Sequence, residues 1–311
     1  MFAEAALAPL LLAAAQQISV PLGHPQVIEQ PKAPIESAGP MWAAECAGSD
    51  DWDKPAPPVR IHGNTYLVGT CGISSILIVG NSGDILIDGG TEEDADLIAA
   101  NVRSLGFRVQ DIRFILGSHE HPDHIGGVAQ LQRLSGATIV ASAPQAKVFE
   151  TGLANADDPQ AGTLKRVPTA PVGRVIGDNE EVRLGNLMVK AMATPGHTSG
   201  AMSWRWVSCD GGVCRTIVYA DSLSPVGREG YRFTDHPAYL AAYRASIAKI
   251  AESPCEIILS PHPSATDMPH RLALGRPLLD EGACRSYAAQ ITRNLNDRLA
   301  KEAAAQRPAK P

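Results

Sequence analysis

The segment Ser118–His124 carries side chains whose types and spacing suit metal chemistry. It reads Ser-His-Glu-His-Pro-Asp-His. In an extended loop, residues i and i+2 point the same way, so His119 and His121 can converge on one ion. Asp123 and His124 are adjacent and can address a second ion. Imidazole nitrogens combined with one carboxylate oxygen suit Zn²⁺.

Two single histidines occur in similar contexts farther along the chain. His197 follows the predicted strand 187–193 in the sequence Thr-Pro-Gly-His-Thr, and His262 follows the predicted strand 257–259 in Ser-Pro-His-Pro. Loops at the ends of strands are where α/β proteins place functional groups. Together with the 118–124 segment, these histidines give six ligands. Six ligands make two sites of three protein ligands, each with an open position, as catalytic zinc requires.

Asp221 is a further candidate because it follows the predicted strand 216–219. Its carboxylate could bridge two ions, or it could orient a ligand histidine from behind. The sequence leaves both roles open. We expect no catalytic role for the remaining histidines, His24, His62, His236 and His270.

The elements that must position these residues mix strands and helices. Hydrophobic periodicity predicts strands over 66–68, 75–79, 84–88, 112–116, 138–141, 182–184, 187–193, 201–207, 216–219 and 257–259. It predicts helices over 92–105, 124–134, 144–151, 237–251 and 282–303, with a long loop over 152–171. The pattern divides into two halves of similar content. We therefore expect an α/β fold in which two sheets pack together with helices outside.

Charge and composition exclude several classes of partner. The 311 residues carry a net charge of −6 and only 5% aromatic residues, with no run of Lys or Arg. A nucleic-acid partner is therefore not expected. No apolar stretch is long enough to cross a bilayer, so no membrane partner is expected. We expect a small-molecule substrate and a monomeric chain.

The ends of the chain and the cysteines bear on its compartment. The apolar run 7–15 ends in Ala-Ala-Ala before Gln16, which predicts a signal peptide over 1–15 and a periplasmic protein. A Pro-rich tail is predicted over 16–45, an ordered domain over 46–303 and a frayed tail over 304–311. The six cysteines include no Cys-x-x-Cys pair, and they allow fifteen pairings into three disulfides. Local spacing favours only Cys209–Cys214.

The His-x-His-x-Asp-His motif, with His197 and His262, resembles the metallo-β-lactamase superfamily over about residues 46–300. The resemblance implies an αββα sandwich of two mixed β-sheets with helices on both outer faces. The sequences GNTYLVGTCGIS, ATPGHTSGAMSWRW and YADSLS resemble the third subclass of class B metallo-β-lactamases. In that subclass the first zinc takes three histidines and the second takes one aspartate and two histidines. This implies His119, His121 and His197 for the first ion, and Asp123, His124 and His262 for the second.

The same resemblance implies further roles. Asp221 becomes a supporting residue, and Ser222 and Ser224 match positions whose hydroxyls help to hold a substrate carboxylate. The three disulfides would join Cys46 to Cys71, Cys209 to Cys214 and Cys255 to Cys284.

The activity implied is hydrolysis of the β-lactam amide bond of penicillins, cephalosporins and carbapenems, which confers antibiotic resistance. Two Zn²⁺ and a metal-bound hydroxide would carry it, with Asp123 as the catalytic residue that orients the nucleophile. The alternative is a related binuclear metal hydrolase, such as a glyoxalase II-like thioesterase or a lactonase. Against glyoxalase II, only about 50 residues follow His262, which leaves little room for its C-terminal helical region.

Overall fold

The computed structural model describes residues 35–275 and 278–305. The predicted signal peptide, residues 16–34 of the predicted tail and residues 306–311 lie outside this part of the chain. The helices are α1 (Ile35–Glu45), α2 (Ala95–Ser104), α3 (Pro122–Ile125), α4 (Val128–Ser135), α5 (Ala143–Thr151), α6 (Pro237–Glu252), α7 (Met268–Ala273) and α8 (Ala283–Ala305). The strands are β1 (Val59–His62), β2 (Thr65–Leu67), β3 (Ile76–Ile78), β4 (Asp84–Ile87), β5 (Ile112–Leu116), β6 (Thr138–Ala141), β7 (Val172–Val175), β8 (Glu181–Leu184), β9 (Leu187–Ala193), β10 (Met202–Asp210), β11 (Val213–Tyr219) and β12 (Ile257–Leu259).

These strands form two mixed sheets. The first has the order β1-β2-β3-β4-β5-β6-β7, antiparallel from β1 to β4 and parallel from β4 to β7. The second has the order β12-β11-β10-β9-β8, in which only β11 and β12 run parallel. Strands β3, β4 and β12 are short and buried along their whole length, as expected for strands covered on both faces.

Successive side chains of a strand point to opposite faces of its sheet, so the buried residues form separate core layers. In β3, Ile76 packs into the core between the two sheets together with Trp204 and Ile217, whereas Leu77 packs with the α2, α4 and α5 side of the first sheet. In the second sheet, Val218 packs with α6 and α8. The order of layers is helix, sheet, sheet, helix, which confirms the predicted αββα sandwich.

One prediction fails at the start of the described chain. The Pro-rich tail predicted over 16–45 is wrong for residues 35–45, which form α1 with Trp42 fully buried. Composition suggested a tail because this segment contains Pro and Gly. However, Gly39 lets the helix approach α7, since a Cβ at Gly39 would lie 3.2 Å from the Leu272 carbonyl oxygen.

Three further details differ from expectation. The predicted helix over 124–134 is two helices, α3 and α4, because Gly126 and Gly127 interrupt the pattern. The short strands β1 and β7, at the edges of the first sheet, were not predicted, since neither has a run of apolar residues. The final helix extends to residue 305 and so includes the first two residues of the predicted frayed tail.

The three expected disulfides, Cys46–Cys71, Cys209–Cys214 and Cys255–Cys284, are all present. Across residues 35–275 and 278–305, no helix has both the length and the apolar character needed to cross a bilayer.

Candidate metal centre

The candidate ligands lie on loops that follow strands from both sheets. The segment 119–124 follows β5, His197 follows β9 and His262 follows β12. Backbone hydrogen bonds join these loops: the amide of Met202 donates to the Ser118 carbonyl over 2.7 Å, and Ser74 donates to Pro261 over 2.8 Å. The ends of the two sheets are therefore fixed to each other at the point where the ligands meet.

His119, His121 and His197, which we call the first ligand group, lie close together. All three are buried, and each offers a nitrogen within 4.8 Å of the nitrogens offered by the others. Their ring centroids are 4.7–4.8 Å apart. The Nε2 atom of His119 is buried and has no hydrogen-bond partner among the described residues. A buried, unpaired imidazole nitrogen facing two others is the arrangement that a metal ion completes.

Each of these histidines is held through its other ring nitrogen. His119 Nδ1 lies 2.8 Å from Asp221 Oδ1, and His121 Nε2 lies 2.9 Å from Asp158 Oδ2. His197 Nδ1 lies 3.0 Å from both the carbonyl oxygen and the Oγ of Ser224. Such partners fix the tautomer and leave one nitrogen free for a metal. Asp221 therefore takes the orienting position, one of the two roles that the sequence left open.

Asp123, His124 and His262, the second ligand group, are less compact. Asp123 and His124 cluster within 4.8 Å together with His119, not with His262. The Nε2 atom of His262 lies 3.6 Å from Asp123 Oδ2, and its ring centroid is 5.0 Å from that of His124. His262 Nδ1 lies 3.2 Å from the Gly72 carbonyl oxygen, so its Nε2 is the nitrogen left for an ion.

Asp88, which the sequence analysis did not single out, supports the same centre. It accepts hydrogen bonds from the amide and hydroxyl of Ser118, at 2.6 and 2.7 Å, and from the Tyr219 hydroxyl at 2.7 Å. Its Oδ2 lies 3.7 Å from His124 Nδ1. Asp88 has a φ of 63°, in the left-handed region that few residues other than Gly and Asn adopt. An aspartate at the end of a buried strand, before two glycines, was the available signal.

The charge states of the ligands suit a divalent cation. Burial lowers the pKa of His197 to about 3, and neighbouring His121 adds to this shift. Burial, with His124 nearby, lowers the pKa of His262 to about 4. Burial alone would raise the pKa of Asp123, but the imidazoles of His124 and His262 hold it well below its ordinary value. Neutral imidazoles and an ionised carboxylate are the forms that bind metals, and this donor set fits zinc.

A cleft of about 510 Å³ opens over both ligand groups. It exposes His121, Asp123, His197 and His262. The loop between α5 and β7 supplies what we call the cleft wall, Gln160, Thr163, Leu164, Lys165, Arg166 and Pro168. Other lining residues are Trp52, Asp53, Thr91, Glu92, Glu93, Pro122, Gly126, Ser224 and Val226.

The two predicted substrate-binding serines occupy different settings. Ser224 lines the cleft. The Oγ atom of Ser222 is buried and has no hydrogen-bond partner in the described part of the chain.

Comparison with known families agrees with this geometry. The family described as the metallo-beta-lactamase superfamily matches residues 68–262, which is more than half of the chain and includes every ligand above. This chain belongs to the metallo-β-lactamase superfamily. The match begins just after β2 and ends at His262.

Several solved metallo-β-lactamases share the fold over nearly their whole length. MIM-2 metallo-β-lactamase is 51% identical, with a TM-score of 0.82, over 86% of this chain and 98% of MIM-2. MIM-1 from Novosphingobium pentaromativorans is 44% identical, with a TM-score of 0.83, over 86% of this chain and 99% of MIM-1. MEM-A1, a subclass B3 metallo-β-lactamase from a soil metagenome library, is 43% identical, with a TM-score of 0.79, over 82% of this chain and all of MEM-A1.

Curated relatives in the superfamily match over shorter stretches. A probable metallo-hydrolase from Burkholderia pseudomallei is 31% identical over 153 residues, 43% of this chain and 48% of that protein. A hydroxyacylglutathione hydrolase from Methylococcus capsulatus is 30% identical over 107 residues, 34% of each protein. The alignment thus spans half or less of these curated relatives.

Proposed function

We propose that this chain hydrolyses the amide bond of β-lactams at a centre of two zinc ions. The first ligand group would hold one ion and the second ligand group the other. The observation that carries the proposal is that two members of each group, His121 and His197 with Asp123 and His262, line one open cleft. The identity of 51% with MIM-2 over nearly that enzyme's whole length favours β-lactams as the substrate class.

Zinc, when bound, supplies a Lewis acid and generates a nucleophile from water near neutral pH. The chain's own part is to hold and orient. Asp123, ionised by its imidazole neighbours and 7% exposed, accepts a hydrogen bond from the attacking group and orients it. Tyr219 and Ser118 lock Asp88 beneath His124, which keeps the ligand loop in place during turnover. No serine nucleophile is required.

Ser224 stands in the cleft, and its hydroxyl is available to hold the substrate carboxylate. Because a hydrogen bond to a charged group is worth about 1.5–3 kcal/mol, Ser224→Ala should raise KM by roughly tenfold or more. Ser222→Ala is the matched comparison for the second predicted serine. Equal KM values for both variants and the wild type would remove both serines from substrate binding.

A thioesterase is the second candidate, because seven of the matched curated relatives are hydroxyacylglutathione hydrolases. Those matches cover only 26–54% of the relatives, whereas MIM-1, MIM-2 and MEM-A1 are covered at 98% or more. The β-lactamase proposal therefore has the stronger support.

One assay separates the two candidates. Purified protein is tested with nitrocefin, a carbapenem and S-lactoylglutathione, each with and without EDTA, while bound zinc is counted. We expect β-lactam hydrolysis that requires two zinc ions per chain, and its loss in His121→Ala and His262→Ala. Turnover of S-lactoylglutathione alone, or full β-lactam hydrolysis after complete removal of zinc, would contradict the proposal.

We also propose that the chain is exported to the periplasm as a monomer, with residues 1–15 as its signal peptide. Three disulfides support this, because disulfides form and persist in oxidising compartments. Cell fractionation, the mass of the mature N-terminus and sedimentation of the purified protein test the three parts separately.

A further inference from the structure

Asp158 differs from the other residues that support the first ligand group. Asp221 and Ser224 lie just after β11, whereas Asp158 belongs to the loop between α5 and β7 that also forms the cleft wall. Its side chain is 1% exposed, and its Oδ2 lies 2.9 Å from His121 Nε2. The Nε2–H of His121 therefore donates to Asp158. Its Nδ1 is then the nitrogen available to a metal shared with His119 and His197.

The other oxygen of the same carboxylate binds the wall. Asp158 Oδ1 accepts a hydrogen bond from the Gln160 amide over 2.7 Å. Gln160 is the first residue of the cleft wall, which continues to Pro168. One carboxylate therefore touches a metal ligand with one oxygen and the base of the substrate cleft with the other.

A second attachment lies three residues earlier. Asn155 Nδ2 donates to the Pro144 carbonyl at 3.0 Å and to Glu120 Oε1 at 3.4 Å, and the Asn155 carbonyl accepts from the Asp158 amide at 3.1 Å. Asn155 and Asp158 thus contact the consecutive residues Glu120 and His121.

Glu120 extends this network to the other ligand-bearing loop. It accepts from the Thr198 hydroxyl at 2.7 Å and from the Gly200 amide at 3.1 Å, both close to His197. The start of the cleft wall is therefore connected to the neighbourhoods of two members of the first ligand group.

We propose that Asp158 is a positioning residue that couples the cleft wall to the metal ligand His121. A change in the wall, such as substrate packing against it, alters the orientation of the His121 ring, and metal at His121 in turn favours one conformation of the wall. The coupling is reciprocal in binding free energy, as linkage requires. This inference rests on the proposed function only for its substrate readout.

The test uses the isosteric variant Asp158→Asn in the full-length zinc-loaded protein. An amide can match only one of the two contacts, because its NH₂ group cannot accept from either His121 or Gln160. Asp157→Asn is the matched control, since Asp157 is an exposed neighbour and loses the same charge. Zinc affinity is measured by titration against a chromophoric chelator, and KM is measured at saturating zinc. The visible spectrum of the Co²⁺-substituted protein reports ligand geometry.

We expect Asp158→Asn to weaken zinc binding at the first ligand group by about 10- to 100-fold. We also expect an altered Co²⁺ spectrum and a KM change of several-fold at saturating zinc, while Asp157→Asn changes none of these. Weakened zinc binding with an unchanged KM would overturn the coupling, as would wild-type values for both.

Two provisions keep the test decisive. Asn155→Ala leaves Asp158 in place and removes only the side-chain contacts of Asn155 with Pro144 and Glu120. It should therefore produce the same changes at smaller size, and it replaces Asp158→Asn if that variant does not fold. If the wild-type protein hydrolyses no β-lactam, the proposed function fails. The zinc titration and the Co²⁺ spectrum then still decide whether Asp158 positions His121.

Discussion

The first ligand group is held from behind more completely than the second. His119, His121 and His197 each have a hydrogen-bond partner on the ring nitrogen that faces away from the others. In the second group, His124 Nδ1 lies 3.7 Å from its rear carboxylate, Asp88 Oδ2, and its Nε2 contacts only the fellow ligand Asp123, at 3.0 Å. The Nδ1 atom of His262 has one rear partner, the Gly72 carbonyl at 3.2 Å, but the His262 side chain is 24% exposed. Preorganised ligands lose less freedom on binding. We therefore expect the first ion to bind more tightly and the second to leave first.

The largest expected effect comes from deleting one ligand of each group. His197→Ala should weaken zinc binding at the first ligand group by more than about 100-fold, because loss of a ligand exceeds loss of its support. His262→Ala should leave that site filled at low buffered zinc, with one ion per chain instead of two. Metal analysis after dialysis against zinc buffers measures this. Equal zinc loss in both variants would contradict the expected difference in zinc affinity between the two ligand groups.

The metal-free protein should lose in acid the stability that His197 and His262 contribute as neutral, buried imidazoles. The pKa of His197 is lowered to about 3 and that of His262 to about 4, whereas both lie near 6.5 in the unfolded chain. At these two histidines the folded state therefore binds fewer protons than the unfolded state, so their contribution to stability is complete above pH 6.5 and is lost as pH falls toward 4 and then 3. The loss is on the order of 3–5 kcal/mol for each histidine.

Urea unfolding of the EDTA-treated protein at pH 7.5, 5.5 and 4 measures this loss. His197→Asn should flatten the pH dependence over the widest range, and His262→Asn over a narrower one. His270→Asn, an exposed position outside the centre, is the control. The same pH dependence in the wild type, in His197→Asn and in His262→Asn would contradict the assignment.

Asp221→Asn tests the support of the first ligand group directly. The amide keeps the shape but loses the charge that holds His119 Nδ1, so zinc affinity at this group should fall by about 10- to 100-fold. Affinity at the second group serves as the internal control. If both groups weaken equally, Asp221 acts through the fold as a whole and not through His119.

The smallest effect is expected for Ser224→Ala on zinc binding. The Ser224 carbonyl oxygen remains 3.0 Å from His197 Nδ1, so the ring keeps one of its two contacts. Zinc affinity at the first ligand group should fall by only about two- to threefold, within the range of one neutral hydrogen bond. A loss of zinc affinity as large as that expected for Asp221→Asn would show that the Ser224 hydroxyl, and not the Ser224 carbonyl, supports His197.

The sequence predicted the parts of this molecule that are encoded locally. The segment His119–His124 carries its ligands within one loop, and His197 and His262 each sit just after a strand with clear apolar runs. The hairpin of β3 and β4 was also visible, because turn residues separate two apolar strands. Because the strands and turns are visible as local patterns, the two-sheet architecture could be predicted from the sequence.

The supporting residues could not be found in this way. Asp158 meets His121 across 37 positions of sequence, from a loop with no helical or strand periodicity. Helix α1 was not predicted because its segment contains Pro and Gly. Its formation also depends on the burial of Trp42 against α7, more than 200 residues away. Contacts of this kind come from tertiary packing, which a single sequence does not display.

The ligand groups also bridge the sandwich. The first takes two members from the loop after β5, in one sheet, and one from the loop after β9, in the other. The second likewise draws on β5 and β12. Each ion that binds therefore acts as a removable cross-link between the sheets, and by mass action its concentration adds to the free energy of unfolding. We expect the lifetime of this protein under proteolysis to follow the zinc available around it.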